Sequence, residues 1–373
     1  MAYLPLAGVR VLEWARDFPG PHTGRKLADM GADVVKLADV ARADGGPARS
    51  QYAAEWLPLL DRNKRSAAFD FTFVDDRAAI ARLAAAADVI IEGSRPGALA
   101  AKTGIDVDEL RRRRPDLVLC SVSGFGQTGP LANQPAHGLN LESLSYCLYP
   151  ERRDGKWALG DGSNLVVAVE IGPVNAAFAI VAALWNAKRT GEGAWIDISC
   201  WDAAVEAHRH RLTDVINGRK PWYDVPNSGA RYTIYDTADG RPVFFGAGDP
   251  HFWAHFCAHV GREDLLAAGR GAEDDARLRA ELEPIFLTAT AAEWNDRFRE
   301  WNVAGSNVIM SLEELASHPH FEARGMTTEL ADGTVMVTDP IRWVDHDSRP
   351  GDTIRMAAGI GADTDAVVAE WLP

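Results

Sequence analysis

The first 125 residues alternate short apolar runs with helix-forming segments, and this alternation limits the possible folds more than any other feature. Val9–Trp14, Asp33–Leu37, Ser66–Phe71, Asp88–Glu92 and Leu117–Ser123 read as strands. Between them, Thr23–Met30, the alanine-rich Asp75–Ala86 and Val107–Arg114 read as helices. Strands separated by helices build parallel sheets, because a parallel pair needs a long crossover. The pattern predicts an α/β chain with a doubly wound, Rossmann-like large domain. No GxGxxG follows the first strand, and Gly20-Pro21-His22-Thr23-Gly24 is too proline-rich to serve as one. A nicotinamide enzyme is therefore a poor reading despite the fold class.

Later segments change character. Pro173–Ala187 reads as a long apolar helix, and Arg189-Thr190-Gly191-Glu192-Gly193 turns the chain into a strand at Ala194–Ser199. Thr233–Phe245 reads as a hairpin turning at Asp236–Gly240, followed by helices at Pro250–Val260, Ala276–Phe286 and Ala291–Trp301. At roughly 150 residues per domain, 373 residues suggest about two domains. The expected organisation is a large α/β domain over 1–200 completed by 325–373, a linker over 201–226, and a smaller α+β domain over 227–324.

Composition excludes several classes. The net charge of −14 argues against nucleic acid or an anionic membrane as the main partner, since both need a basic face. The longest apolar run, around Ala176–Trp185, falls short of the roughly 20 residues that span a bilayer, and the N-terminus carries no signal-peptide pattern. The expected location is cytoplasmic. Cys120, Cys147, Cys200 and Cys257 form no CxxC pair, so neither a zinc-thiolate site nor a disulfide framework is expected. His251, His255 and His259 share helical spacing, but apolar neighbours and the lack of a third-ligand motif argue against a metal site.

Several segments, in order along the chain, resemble the family III CoA-transferases, the CaiB/BaiF group that includes formyl-CoA transferases and α-methylacyl-CoA racemases. They are Leu6–Glu13, Leu27–Lys36, Arg62-Asn63-Lys64-Arg65-Ser66, Glu92 with Arg95-Pro96-Gly97, Ser123–Pro130 (SGFGQTGP), Arg189–Gly193, and Ser317–Met326 with its HPxxxARGM pattern. The resemblance implies an enzyme acting on coenzyme A thioesters and an interlocked homodimer of two ring-like chains. It implies coenzyme A as a substrate thioester, carboxylic acids as partners, and no metal. CoA would lie along the loops after the fourth and fifth strands, with Arg95, Gly97, Phe125 and Gln127 binding it and Lys64 and Arg65 facing its phosphates. Two departures fall here: Leu37-Ala38-Asp39 replaces a Glu-Arg or Glu-Pro pair, and Gly93 stands at the asparagine of ENxRPG.

The resemblance also nominates catalytic residues. His137, in Ala136-His137-Gly138-Leu139-Asn140, matches the racemases' GHDxN motif, whose histidine exchanges an α-proton. Asp249, in Gly246-Ala247-Gly248-Asp249-Pro250, matches a GAxEPQF segment whose carboxylate accompanies that histidine; it also fits an N-cap. The family's key aspartate is harder to place. Ungapped alignment puts Ala168 or Val169 there, Glu170 is one residue away, and Asp161 requires an insertion. Glu170 is favoured because a carboxylate at a helix start is stabilised electrostatically. Three functions follow: CoA transfer through a carboxylate-linked acyl-enzyme, racemisation by α-proton exchange, and a degenerate homologue that only binds CoA esters.

Overall fold

The computed structural model describes residues 3–16, 18–40, 59–160, 166–221, 229–269, 272–330, 333–357 and 359–372. The chain divides into two compact units, Met1–His208 with Gly325–Pro373, and Arg209–Arg324.

The first unit runs β1 (Arg10–Trp14), α1 (Pro19–Asp29), β2 (Asp33–Asp39), β3 (Arg65–Phe69), α2 (Val74–Ala86), β4 (Val89–Glu92), α3 (Ala98–Thr103), α4 (Val107–Arg113) and β5 (Val118–Ser123). After it come α5 (Gly138–Leu144), the hairpin β6 (Pro150–Arg153) and β7 (Lys156–Leu159), α6 (Val167–Thr190), β8 (Trp195–Ser199) and α7 (Cys200–Ala207). Six strands form one parallel sheet in the order β3-β2-β1-β4-β5-β8. The sheet is parallel and doubly wound, as the alternating pattern predicts.

Successive strand residues point to opposite faces, and both faces are covered, so the strands read as continuous apolar runs. Val11, Val34, Val89 and Val118 pack with Leu27 of α1 and with Ala176 and Ile180 of α6. Leu12, Val35, Ile90 and Leu119 pack on the other face with Ile80 and Leu83 of α2.

α1 and α6 both start earlier than their sequence suggests. α1 begins at Pro19 rather than Thr23, with proline in its first turn, where a missing N–H costs nothing. Its glycines serve close packing on β1. A Cβ at Gly20 would lie 2.2 Å from Ala15 Cβ, and one at Gly24 would lie 1.8 Å from Glu13 Oε2. α6 begins at Val167 and carries Pro173 inside it, so the proline does not mark its start. At 24 residues, α6 is long and apolar enough to cross a bilayer, contrary to the expectation of no such stretch. In this fold it packs against α1, β5, β8 and α7.

The segment expected to be a linker is partly structured. α7 belongs to the sheet unit, burying Cys200, Ala203 and Ala204, because its small residues fit against α6. Residues 222–226 of that segment lie outside the described residues.

The second unit begins with α8 (Arg209–Ile216). It continues through β9 (Tyr232–Asp236), β10 (Pro242–Gly246), α9 (Pro250–His259), α10 (Ala272–Phe286), α11 (Ala291–Glu300), β11 (Gly305–Asn307), α12 (Leu312–Ala316) and α13 (Pro319–Ala323). The antiparallel sheet β11-β10-β9 packs Phe245 against Phe256, Phe286, Trp294 and Phe298. The chain then returns to the first unit through the hairpin of β12 (Thr327–Glu329) and β13 (Val335–Val337) and through α14 (Thr364–Trp371). α14 buries Val367 and Trp371 in the β3 and α2 layer, and Trp371 Nε1 donates to Asp33 at 2.8 Å.

Candidate active site

The strand order reverses between β1 and β4, so the loops beyond their carboxyl ends form the natural ligand crevice of this sheet. The loop after β4 starts from buried Glu92, whose carboxylate accepts the backbone N–H of Ser94 at 3.0 Å. Burial pushes the Glu92 carboxyl above its ordinary range, against hydrogen bonds from Ser121 and Ser94 that lower it. Arg95 Nη1 donates to Asn133 O at 3.3 Å, and Gly97 takes a φ of +75° to turn the chain into α3.

The loop after β5 is pinned from two sides. The Gln127 N–H donates to the Asp197 carboxylate at 3.0 and 3.1 Å, and its Nε2 donates to Ser94 O at 3.1 Å. Gln127 therefore ties the two nominated loops together. Phe125 is buried in the core with Val122 and Leu141, so its ring supports the loop from beneath.

The structure corrects the roles assigned to Lys64 and Arg65. Lys64 is buried, with Nζ 2.7 Å from Glu13 Oε2, 3.1 Å from Asp61 Oδ1 and 2.9 Å from Pro21 O. An ammonium has three protons, so none remains for a phosphate. Arg65 donates to Asp33 at 2.8 Å and to Glu370 at 2.7 Å, tying β3 to β2 and α14. Both cations hold the sheet together.

Glu170 sits in the first turn of α6, half-buried. Burial raises its carboxyl above the ordinary range, while Arg25 and Lys26 pull it back. The start of α6 is set by another helix: Glu142 of α5, itself buried, accepts the Ala168 N–H at 2.7 Å. Facing Glu170 is His22 of α1, with Nδ1 3.7 Å from Glu170 Oε2. Burial, then Arg25 and Lys26, push the imidazole down to about 3, so His22 is neutral and the contact is not an ion pair.

His137 is exposed just before α5, where its backbone N–H donates to Asn140 Oδ1 at 2.8 Å. The next residue, Gly138, lies so close to α6 that a Cβ would sit 2.4 Å from Val166 Cγ1, four residues ahead of Glu170. The starts of α5 and α6 are thus brought side by side. Asp249 occupies the N-cap position of α9, exposed and making no capping hydrogen bond. Asp161 lies outside the described residues.

His22 and Arg25 beside Glu170, and Glu142 at the start of α6, are residues that the sequence did not single out. The only signal for Glu142 was an acid among Leu139, Leu141 and Leu144, and His22 was hidden in a segment read as loop.

The sequence model of CoA-transferase family III matches residues 6–364. The chain belongs to this family. It is similar to the succinate–glutarate CoA-transferase of Agrobacterium fabrum, with 34% identity over 89% of this chain and 87% of the relative. It is also similar to the α-methylacyl-CoA racemase of Mus musculus, with 29% identity over 86% of this chain and 81% of the relative. Among solved structures, Rv3272 of Mycobacterium tuberculosis superposes with a TM-score of 0.83 at 25% identity, covering 98% of this chain and 99% of that one.

As a family III member, the chain is an acyl-CoA enzyme, and CoA thioesters are its substrates. The family's two branches ask different things of a site. Transfer needs one carboxylate able to carry an acyl group. Racemisation needs two bases on opposite sides of an α-carbon. Among the described candidates, Glu170 combines partial exposure, nearby cations and a helix start.

Proposed function

We propose that this enzyme transfers CoA from an acyl-CoA thioester to a free carboxylic acid, with Glu170 carrying first the acyl group and then CoA. A Glu170 oxygen attacks the thioester carbonyl, the C–S bond breaks, and CoA leaves as a thiolate. The product is a mixed anhydride. The thiolate attacks the Glu170 carbonyl, expelling the first carboxylate and leaving a Glu170–CoA thioester. The acceptor carboxylate then attacks this thioester, and the released thiolate takes the acceptor's acyl group. Glu170 is regenerated, and no net proton is consumed.

The observation that carries this reading is the placement of Glu170 in the first turn of α6, where burial raises its carboxyl and the helix start, Arg25 and Lys26 act against that rise. The same cations suit a site visited by carboxylates. With the name of the Agrobacterium relative, they support a short dicarboxylic acid as the first acceptor class to try. Gln127, Arg95 and Gly97 line the path for CoA in this reading. The active form is a homodimer, supported by the apolar stripe of α6 that this chain leaves exposed at Val174, Phe178, Val181 and Trp185.

The racemase alternative rests on one observation, the exposed His137 beside the start of α6. Incubation of 2-substituted acyl-CoAs in D2O, with and without succinate, glutarate or acetate, separates the readings. A new CoA ester that forms only with an added acid, and is lost in Glu170→Gln, supports transfer. Deuterium entering the α-position without an acceptor replaces it with racemisation. Binding of CoA esters with neither reaction leaves a degenerate homologue.

A further inference from the structure

We infer that His22 is a positioning residue for Glu170, holding one carboxylate oxygen through Nδ1–H so that the other is free to attack. This rests on the reading of Glu170 as the acyl-carrying carboxylate. Arg25 decides which ring nitrogen of His22 carries the proton. Its Nη2 lies 2.7 Å from His22 Nε2. A guanidinium can only donate, so Nε2 must present its lone pair, and the single proton of the neutral ring must sit on Nδ1. The arginine thereby fixes the tautomer.

Nδ1 is buried and has no hydrogen-bond partner, and it faces Glu170 Oε2 at 3.7 Å. The ring has little freedom to point elsewhere. It lies on α1 beside Phe18, edge to face at 5.6 Å, and its other nitrogen is held by Arg25. Closing the gap to an ordinary hydrogen bond of about 2.9 Å needs a shift of under about 1 Å, within reach of a glutamate rotamer. The neutrality of His22 follows from its surroundings: burial and the charges of Arg25, Lys26 and Lys64 oppose protonation, against Asp339.

A carboxylate has two equivalent oxygens and rotates about its last bond. Binding one oxygen to a fixed donor sets the plane of the group and the direction of the other oxygen's lone pair. Holding reacting atoms in an attack geometry lowers the barrier without adding a new chemical step. The donor is neutral, so it orients Glu170 without neutralising its charge, which a cation at the same distance would do.

The test uses the full-length chain and three variants, His22→Leu, His22→Asn and Glu170→Gln. The amide N–H of asparagine occupies nearly the position of Nδ1–H. Steady-state transfer would be measured, together with borohydride reduction of the Glu170–CoA thioester, read by peptide mass. His22→Leu is expected to lower kcat by about thirtyfold with little change in KM for the acyl-CoA, and to slow the appearance of the trapped thioester equally. His22→Asn is expected to return to within about threefold of wild type. Wild-type kcat in His22→Leu, or equal losses in both variants, overturns the role. Transfer that persists in Glu170→Gln is a separate result, and it removes Glu170 itself from the mechanism. If His22→Leu does not fold, the tautomer decides: 15N resonances of His22, assigned by difference against His22→Asn, must report Nδ1–H, and an Nε2–H ring ends the proposal.

Discussion

At Glu170 burial and charge compete: the protein matrix raises the carboxyl above 4.5, while Arg25 and Lys26 lower it. Burial wins, and the sign of the consequence differs for activity and stability. Attack on a thioester needs the ionised form, so kcat/KM is expected to fall with acid along a limb lying above 4.5, in a pH profile measured with saturating acceptor. Stability runs the other way. A carboxyl raised in the folded state contributes fully below its unfolded value, and the contribution is lost as pH rises through the folded value. Glu170→Gln should abolish transfer and also flatten that part of the thermal stability profile. Lys64 gives the second prediction at this scale. Its charge was visible in the sequence, but its partners were not, because Glu13, Asp61 and Pro21 come from three separate stretches of chain. Lys64→Met leaves Glu13 buried without its cation, a change that typically costs about 3–5 kcal/mol. The expected result is a large drop in Tm with an unchanged KM for CoA ester in the folded fraction. A phosphate-binding lysine would show the reverse.

What decides the site at the level of elements is where α6 starts. The apolar pattern in the sequence puts the beginning at Pro173. The parallel strands were legible because burial on both faces forces uninterrupted apolar runs at Val34-Val35 and Val89-Ile90-Ile91. The helix start was not, because its cap comes from 26 residues upstream: the Glu142 carboxylate takes the N–H of Ala168. A cap supplied through tertiary contact leaves no local signature of the kind that Thr290 and Glu293 leave at α11. Glu142→Ala is therefore expected to fray the first turn of α6 and to cost about 1–3 kcal/mol by leaving a buried donor unpaired. Hydrogen exchange over 167–172 checks this directly. Faster exchange in Glu142→Ala, with Glu142→Gln close to wild type, is the predicted pattern. Unchanged protection in both would mean that packing against α1 and α7 alone holds the turn.

For the whole molecule, the sequence carried the doubly wound sheet and, through the family resemblance, the expectation of a homodimer; the exposed surface of α6 gives that expectation a face. One side of the helix enters the core through Ala176 and Ile180. Val174, Phe178, Val181 and Trp185, spaced i, i+4, i+7 and i+11, form a single exposed stripe on which Phe178 is 77% exposed. Leaving such a stripe in water forgoes roughly 25 cal/mol per Å² of apolar area that a partner would cover. A second copy is the expected partner, so sedimentation should give twice the chain mass of 40.5 kDa, and Phe178→Glu should reduce the yield of that species. The family's threaded arrangement makes a sharper claim than dimerisation alone. Two chains that only dock exchange partners whenever they dissociate. Two chains that pass through each other exchange only when one unfolds. Mixing tagged and untagged enzyme is therefore expected to give no mixed dimers over days in native buffer, and the statistical fraction of mixed dimers after joint refolding from denaturant. Mixed dimers appearing in native buffer would show a docked pair, and a single species at the monomer mass would remove the dimer altogether.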